Sequence, residues 1–310
     1  MTVAILCSGQ GHQRPGMFDL VADESRAAPL FSHAAHFLGE DPCDWVRNAS
    51  ADALQGNRAA QLLCTLHAII AFARIGPALP ARIIVAGYSV GEVAAWHVAG
   101  CLGAIDTLDL IVARADAMDA ASHGNEGLLF VRGLHRESLD ALCAEHDADI
   151  AIINPGDAYV LAGATDALAT LAGCAREAGA TRIVTVPVRV ASHSHRLAAA
   201  VPVFRAALDK VAIGRGKAGT RLFSGIDGSV VLDTNDGLDK LARQIGEPVD
   251  WAACMAACVE AGATAFLELG PGRALAEIAA GAYPSIPARS VDDFRSTEGL
   301  STWLARVSPA

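Results

Sequence analysis

Short apolar, β-branched runs alternate along the chain with longer stretches whose apolar positions recur at helical spacing. Residues 3–7, Val-Ala-Ile-Leu-Cys, predict a first strand, and 82–88 predict another. Helical spacing over 61–74, 92–99 and 108–121 fills the intervals. Strands separated by helix-length segments imply parallel strands with helical crossovers, hence an α/β fold.

The middle of the chain changes rhythm. Strand-like runs at 127–133, 148–154, 159–164 and 181–190 enclose helical patterns at 138–146 and 168–178. The order β-α-β-β-α-β is that of a ferredoxin-like unit. It predicts a small subdomain over 124–190, inserted into a large α/β catalytic subdomain made of 1–123 and 191–310. Beyond it come a helix over 197–211, a strand over 221–224, then a further helix and strand. Residues 266–269 lead into Gly270-Pro271-Gly272, turn chemistry that starts a last core helix. The chain shows no internal repeat and no low-complexity tract.

Composition narrows the class. Of 310 residues, 52% are hydrophobic and 19% charged, ample for a buried core. Apolar stretches such as 82–87 fall well short of the roughly 20 residues of a membrane span, and the first residues lack a basic leader, so the expected location is the cytoplasm. A net charge of −10 without a Lys/Arg run argues against nucleic acid. The eight cysteines are scattered, which predicts reduced thiols rather than a disulfide framework. Cys254 and Cys258, one helical turn apart, make a poor zinc pair without a second one, and no metal or nucleotide cofactor is expected.

The sharpest local signal is Gly87-Tyr88-Ser89-Val90-Gly91-Glu92. Gly-X-Ser-X-Gly between an apolar strand and a helix is a nucleophile elbow: the glycines allow a tight turn that projects the hydroxyl at a helix N-terminus. A serine nucleophile needs a base, and His193 in Val190-Ala191-Ser192-His193-Ser194-His195 is the best candidate. His195 is a nearby competitor. No acidic residue or cysteine stands at a spacing that would complete a metal site with the two.

Six motifs occur in order: Gly9-Gln10-Gly11-His12-Gln13, Gly87 to Glu92, Arg114, Ser192-His193, Arg243-Gln244 with Pro248, and Glu268-Leu269-Gly270-Pro271-Gly272. Together they resemble the malonyl-CoA:acyl-carrier-protein transacylase family, including the acyltransferase domains of polyketide synthases. The resemblance spans about residues 3 to 280. It implies an α/β-hydrolase-like large subdomain, with Ser89 as nucleophile and His193 as general base. It further implies that the backbone carbonyl of Gln244 orients the imidazole and that the N–H groups of Gln10 and Val90 form the oxyanion hole. Arg114 would bind the free carboxylate of a malonyl or methylmalonyl group, Met118 would line the acyl pocket or pack in the core, and Asn154 would approach the substrate or hold a turn. The chain departs from the family at Tyr88, where histidine is usual, at Cys7-Ser8, where an aromatic-proline pair is commoner, and at Glu247, where asparagine usually precedes Pro248.

The reaction implied is ping-pong transfer of malonyl from coenzyme A, through a seryl ester, to the phosphopantetheine-type thiol of an acyl-carrier protein. The carrier subunit of malonate decarboxylase is the alternative acceptor. A serine hydrolase shares the elbow but requires an acidic third member between nucleophile and histidine, with the histidine near the C-terminus. A non-catalytic binding module would leave the four polar residues Ser89, His193, Gln10 and Arg114 without a role.

Overall fold

The apolar runs that read as strands build the floor of the molecule, a computed structural model that describes residues 2–22 and 25–308. Strands β1 (Val3–Cys7) and β2 (Ile83–Gly87) are buried at every position, as expected of parallel strands covered on both faces. They pair in parallel from Val3 opposite Ile83 to Cys7 opposite Gly87.

The antiparallel part of the chain supplies β3 (Glu126–Arg132), β4 (Asp149–Asn154), β5 (Ala158–Ala164) and β6 (Arg182–Val186). Four further strands follow: β7 (Thr220–Phe223), β8 (Val249–Asp250), β9 (Ala265–Glu268) and β10 (Ala288–Ser290). The first sheet runs β10-β9-β1-β2-β7, all parallel, and the second β6-β3-β5-β4-β8.

In the first sheet the chain order turns back at β1, with β2 on one side and β9 on the other. A crevice opens at the carboxyl ends of strands at such a switch point. The loops leaving β1 and β2 there carry Gln10 and Ser89.

The order β6-β3-β5-β4 with antiparallel pairing is the ferredoxin-like arrangement. One face of this sheet packs under helices Arg136–Glu145 and Thr165–Glu177 in a core of its own, built on Leu129, Val131, Leu139, Leu161 and Leu171. Alternate residues of the same strands, Leu128, Ile152, Val160 and Ala162, join the main core instead. Side chains alternate across a strand, so the small sheet is apolar on both faces and closes over the large one.

Several elements differ from expectation. β8 joins the small sheet as a parallel neighbour of β4, although its residues fall in the stretch assigned to the large subdomain. Two residues carry no period to read, and Asp250 at once caps the helix Trp251–Glu260 by accepting from the Ala253 N–H at 2.8 Å. β6 ends at Val186 because Pro187 cannot donate to a ladder. The helix expected over 197–211 is a 3₁₀ turn, His195–Leu197, followed by Ala200–Leu208. Helices Ala27–Leu38, Pro42–Asn48, Ala51–Leu54 and Thr297–Val307 were not foreseen.

One apolar segment is also longer than the sequence reading allowed. Asn57–Ala78 is long and apolar enough to cross a membrane, with a mean hydropathy of 1.5. Its apolar window is 72% buried inside the protein, and Gln61, Thr65 and His67 are buried within it, so it serves as a core helix here.

Candidate active site

The turn after β2 is forced by its glycines. A Cβ at Gly87 would lie 2.2 Å from the backbone of Glu92, and one at Gly91 would lie 2.2 Å from the Cys7 carbonyl oxygen. The elbow therefore packs backbone against backbone, tied to β1 by the Tyr88 N–H on the Cys7 carbonyl at 3.0 Å. Ser89 is left at φ 55°, in the left-handed region that a non-glycine residue adopts only at a cost. Gly91→Ala should lower unfolding stability by about 3 kcal/mol or more, because the clash is with main chain; urea unfolding checks this.

Ser89 Oγ donates to His193 Nε2 at 2.7 Å. The ring is held from behind, its Nδ1–H donating to the Gln244 carbonyl at 2.5 Å. The adjoining Ile245 carbonyl accepts the His193 backbone N–H at 2.8 Å, pinning a residue that itself sits at φ 63°. Gln244 caps the C-terminus of helix Thr234–Arg243, where carbonyls lack helical partners and the dipole favours a positive charge. That end of the helix fixes the tautomer with Nε2 free to accept a proton, and it steadies the imidazolium once formed.

His193 is 1% exposed. Burial, with the Arg114 charge, lowers its pKa to about 3, against the opposing pull of the Gln244 carbonyl. The ring is thus an unprotonated base throughout the neutral range. NMR of the labelled imidazole should show it still neutral at pH 5; an ordinary histidine, with pKa about 6.5, would be mostly charged there.

His195 is engaged elsewhere. Its ring meets Asp149 at 2.6 Å, and its backbone N–H donates to the same carboxylate at 3.1 Å. With Arg196 bonded to Asp147, it fastens the base-bearing loop to the start of β4.

Opposite Ser89 lies Arg114, 1% exposed on helix Ala104–Ala121. Nη1 donates to Gln61 Oε1 at 2.6 Å and to Met118 Sδ at 3.2 Å. Nε and Nη2, the other edge of the fork, have no partner among the described residues. Burial lowers the Arg114 pKa to about 10, partly opposed by the charge of Glu92, so the group remains a cation.

Ser89, His193, Arg114, Met118 and Gln10 share one cavity. Leu128, Ile152, Val160, Val186 and Val188 close it from the side of the small sheet. The cavity measures about 70 Å³. On this scale one water takes about 10–15 Å³, so the space matches a few heavy atoms.

The loop bearing Gln10 is pinned from below. Gln13 accepts the Gly11 N–H at 2.5 Å and donates to the Leu54 carbonyl at 2.9 Å. Ser8 donates to Glu268 at 2.8 Å, and the same carboxyl accepts from the Ala276 N–H at 2.8 Å. Among the described residues, nothing in the protein accepts a hydrogen bond from the backbone N–H of Gln10 or of Val90. Val90 immediately precedes helix Gly91–Val98, whose N-terminus favours negative charge.

Asn154 sits behind the cavity wall. It ends β4, does not line the cavity, and interacts with the Tyr88 phenol. Tyr88 packs edge-on against Trp251 with ring centroids 5.3 Å apart, and burial pushes its pKa up to about 12. The phenol therefore stays neutral beside the nucleophile. Through Tyr88, Asn154 bears on the cavity wall.

Two residues that sequence reasoning passed over belong to the site. Gln61 holds Arg114, and Glu92 accepts from the Gln244 side chain and, at 2.9 Å, from the Gly225 N–H. The available signal was a polar residue in each of two apolar helices; both are 0% exposed.

Comparisons with known proteins agree with this geometry. The sequence profile of the acyl transferase domain matches residues 5–303. A malonyl CoA-acyl carrier protein transacylase of Mycobacterium bovis is 30% identical over 93% of this chain and 96% of its own length. One from Haemophilus influenzae is 27% identical over 97% and 98%. The crystal structure of an acyl-carrier-protein S-malonyltransferase from Burkholderia pseudomallei superimposes with a TM-score of 0.88 at 28% identity, covering 97% of this chain and all of that one. With its elbow, base and buried guanidinium in one fold that the profile spans almost end to end, the chain belongs to the acyl transferase domain family.

Proposed function

We propose that this protein transfers a malonyl group from coenzyme A to the phosphopantetheine-type thiol of an acyl-carrier protein, through an ester on Ser89. The carrying observation is the Nε/Nη2 edge of Arg114, buried and without a partner among the described residues, in the cavity that holds the Ser89–His193 pair. A carboxylate matches that edge bidentately, and a charge-assisted bond of this kind contributes about 1.5–3 kcal/mol. An acetyl group would leave the cation unpaired. The names of the relatives point to the same substrates.

In the first half-reaction Arg114 fixes the malonyl carboxylate, with Met118 as neighbouring wall, and the thioester carbonyl rests against Ser89. His193 Nε2 takes the hydroxyl proton as Oγ bonds to the carbonyl carbon. The N–H groups of Gln10 and Val90 receive the oxyanion. Losing one such donor typically costs about 10²–10³ in rate. The tetrahedral species collapses by breaking its C–S bond, and the coenzyme A sulfur leaves with the proton from His193. In the second half the carrier thiol gives its proton to His193 and attacks the ester, and Ser89 Oγ recovers that proton as it departs.

Transfer rather than hydrolysis follows from the apolar closure of the cavity by the small sheet, which limits water at the ester. The chemistry calls on no metal or nucleotide cofactor, since Arg114 and backbone donors handle the charges. We place the reaction in the cytoplasm, which the eight free thiols favour. Mixing the protein with malonyl-CoA and an acyl-carrier protein should add one malonyl unit to the mass of the carrier. Free malonate appearing as fast without carrier would make it a hydrolase, and malonyl found only on a malonate decarboxylase carrier subunit would change the acceptor.

A further inference from the structure

A Ser-His-Asp triad places a carboxylate directly on the imidazole; here a main-chain carbonyl takes that position. A carboxylate is nonetheless present, one residue further back. Glu92 lies in the first turn of the helix that follows the nucleophile, and it is 0% exposed. Its Oε2 accepts from Gln244 Nε2 and from the Gly225 N–H, and the carboxyl also interacts with the Ser224 side chain.

The surroundings are shaped around it. A Cβ on Gly225 would stand 2.8 Å from Oε2 and 3.2 Å from Gln244 Nε2, so glycine is what admits the carboxyl. The missing Cβ of Gly87 admits the Glu92 backbone. Burying a carboxyl is costly unless it is hydrogen-bonded, and one of the bonds that this carboxyl accepts comes from the residue that orients the base.

We propose that Glu92 is a positioning residue: by holding the Gln244 side chain and the segment after β7 it fixes the Gln244 carbonyl on His193 Nδ1, and so aligns Nε2 with Ser89. The link runs from the elbow, across the helix C-terminus, and back to the elbow, making nucleophile and base one rigid unit. Sequence brings the two ends close, since Glu92 is three residues after Ser89. This inference rests on the reading of Ser89 as the acylated residue.

The test measures the rate of Ser89 acylation by malonyl-CoA, with KM, for wild type, Glu92→Ala, Glu92→Gln, Gln244→Ala and the Glu92/Gln244 double variant, with melting curves as folding controls. Glu92→Ala should lower kcat by about 10²-fold, the scale of a misplaced catalytic group, with KM changed less than about threefold. Glu92→Gln keeps an acceptor oxygen and should recover to within about fivefold of wild type. The double variant should be no slower than the slower single one, because both act through one link.

Folded Glu92→Ala with wild-type kcat would overturn the proposal. So would a Glu92→Gln variant as slow as the alanine one, which would point to charge beside Arg114 instead. If Glu92→Ala does not fold, Gln244→Ala, which retains the carbonyl but not the side chain, decides alone: full-speed acylation sinks the idea. A wild-type protein that never acylates Ser89 would instead refute the functional reading itself.

Discussion

Replacing His193 by alanine is expected to slow acylation of Ser89 by about 10⁴–10⁶-fold, the range seen when the base or its partner is removed from a serine nucleophile's proton-transfer system. The expectation comes from the 2.7 Å contact with Ser89 Oγ and from the neutrality of a ring buried this deeply. Within the cavity His193 is the titratable group placed to take that proton. His195→Ala provides the internal control. That side chain is 64% exposed and committed to Asp149, so acylation should change by only a few-fold. Stopped-flow release of coenzyme A reads both variants, and an essential His195 would reverse the assignment of the base.

The second large effect is on substrate choice. Arg114→Ala should depress malonyl loading by about 10–150-fold, the equivalent of the 1.5–3 kcal/mol that a charge-assisted bond contributes. Acetyl loading should hold or rise, because the buried cation no longer lacks a counter-charge when a neutral acyl group enters. The quantity to measure is the ratio of kcat/KM for malonyl-CoA to that for acetyl-CoA. A ratio is insensitive to the fraction of folded protein, which matters because Arg114 also anchors Gln61 and faces Glu92. Equal loss with both donors would contradict the carboxylate role.

Where a local pattern was sufficient, the sequence was readable. Strand β1 was expected over the residues it occupies, and the Gly-X-Ser-X-Gly turn follows β2 as its chemistry requires. The alternation around 124–190 was enough for the ferredoxin-like order, since each strand and helix there is long enough to show its period. Ala27, Leu30, Phe31 and Ala34 carry a helical period too, and they are the buried face of helix Ala27–Leu38.

Other elements owe nothing to period. Pro42–Asn48 and Ala51–Leu54 are set by the side-chain caps Asp41 and Ser50, and β8 exists because its neighbour β4 offers an edge. At the site, Ser89, His193 and Arg114 were visible as residue types in motifs. The supports were not: a glutamine at 61 and a glutamate at 92 read as ordinary polar positions until the fold buries them. Asn154 shows where a motif match stops short, since packing sets it against Tyr88, behind the cavity wall.

The most direct test is a crystal structure of the protein loaded with malonyl-CoA and trapped as the acyl-enzyme. The account predicts an ester on Ser89 Oγ, its carbonyl oxygen between the N–H groups of Gln10 and Val90, and the distal carboxylate on Nε and Nη2 of Arg114. A malonyl group on another residue, or a carboxylate turned away from Arg114 toward solvent, would contradict it.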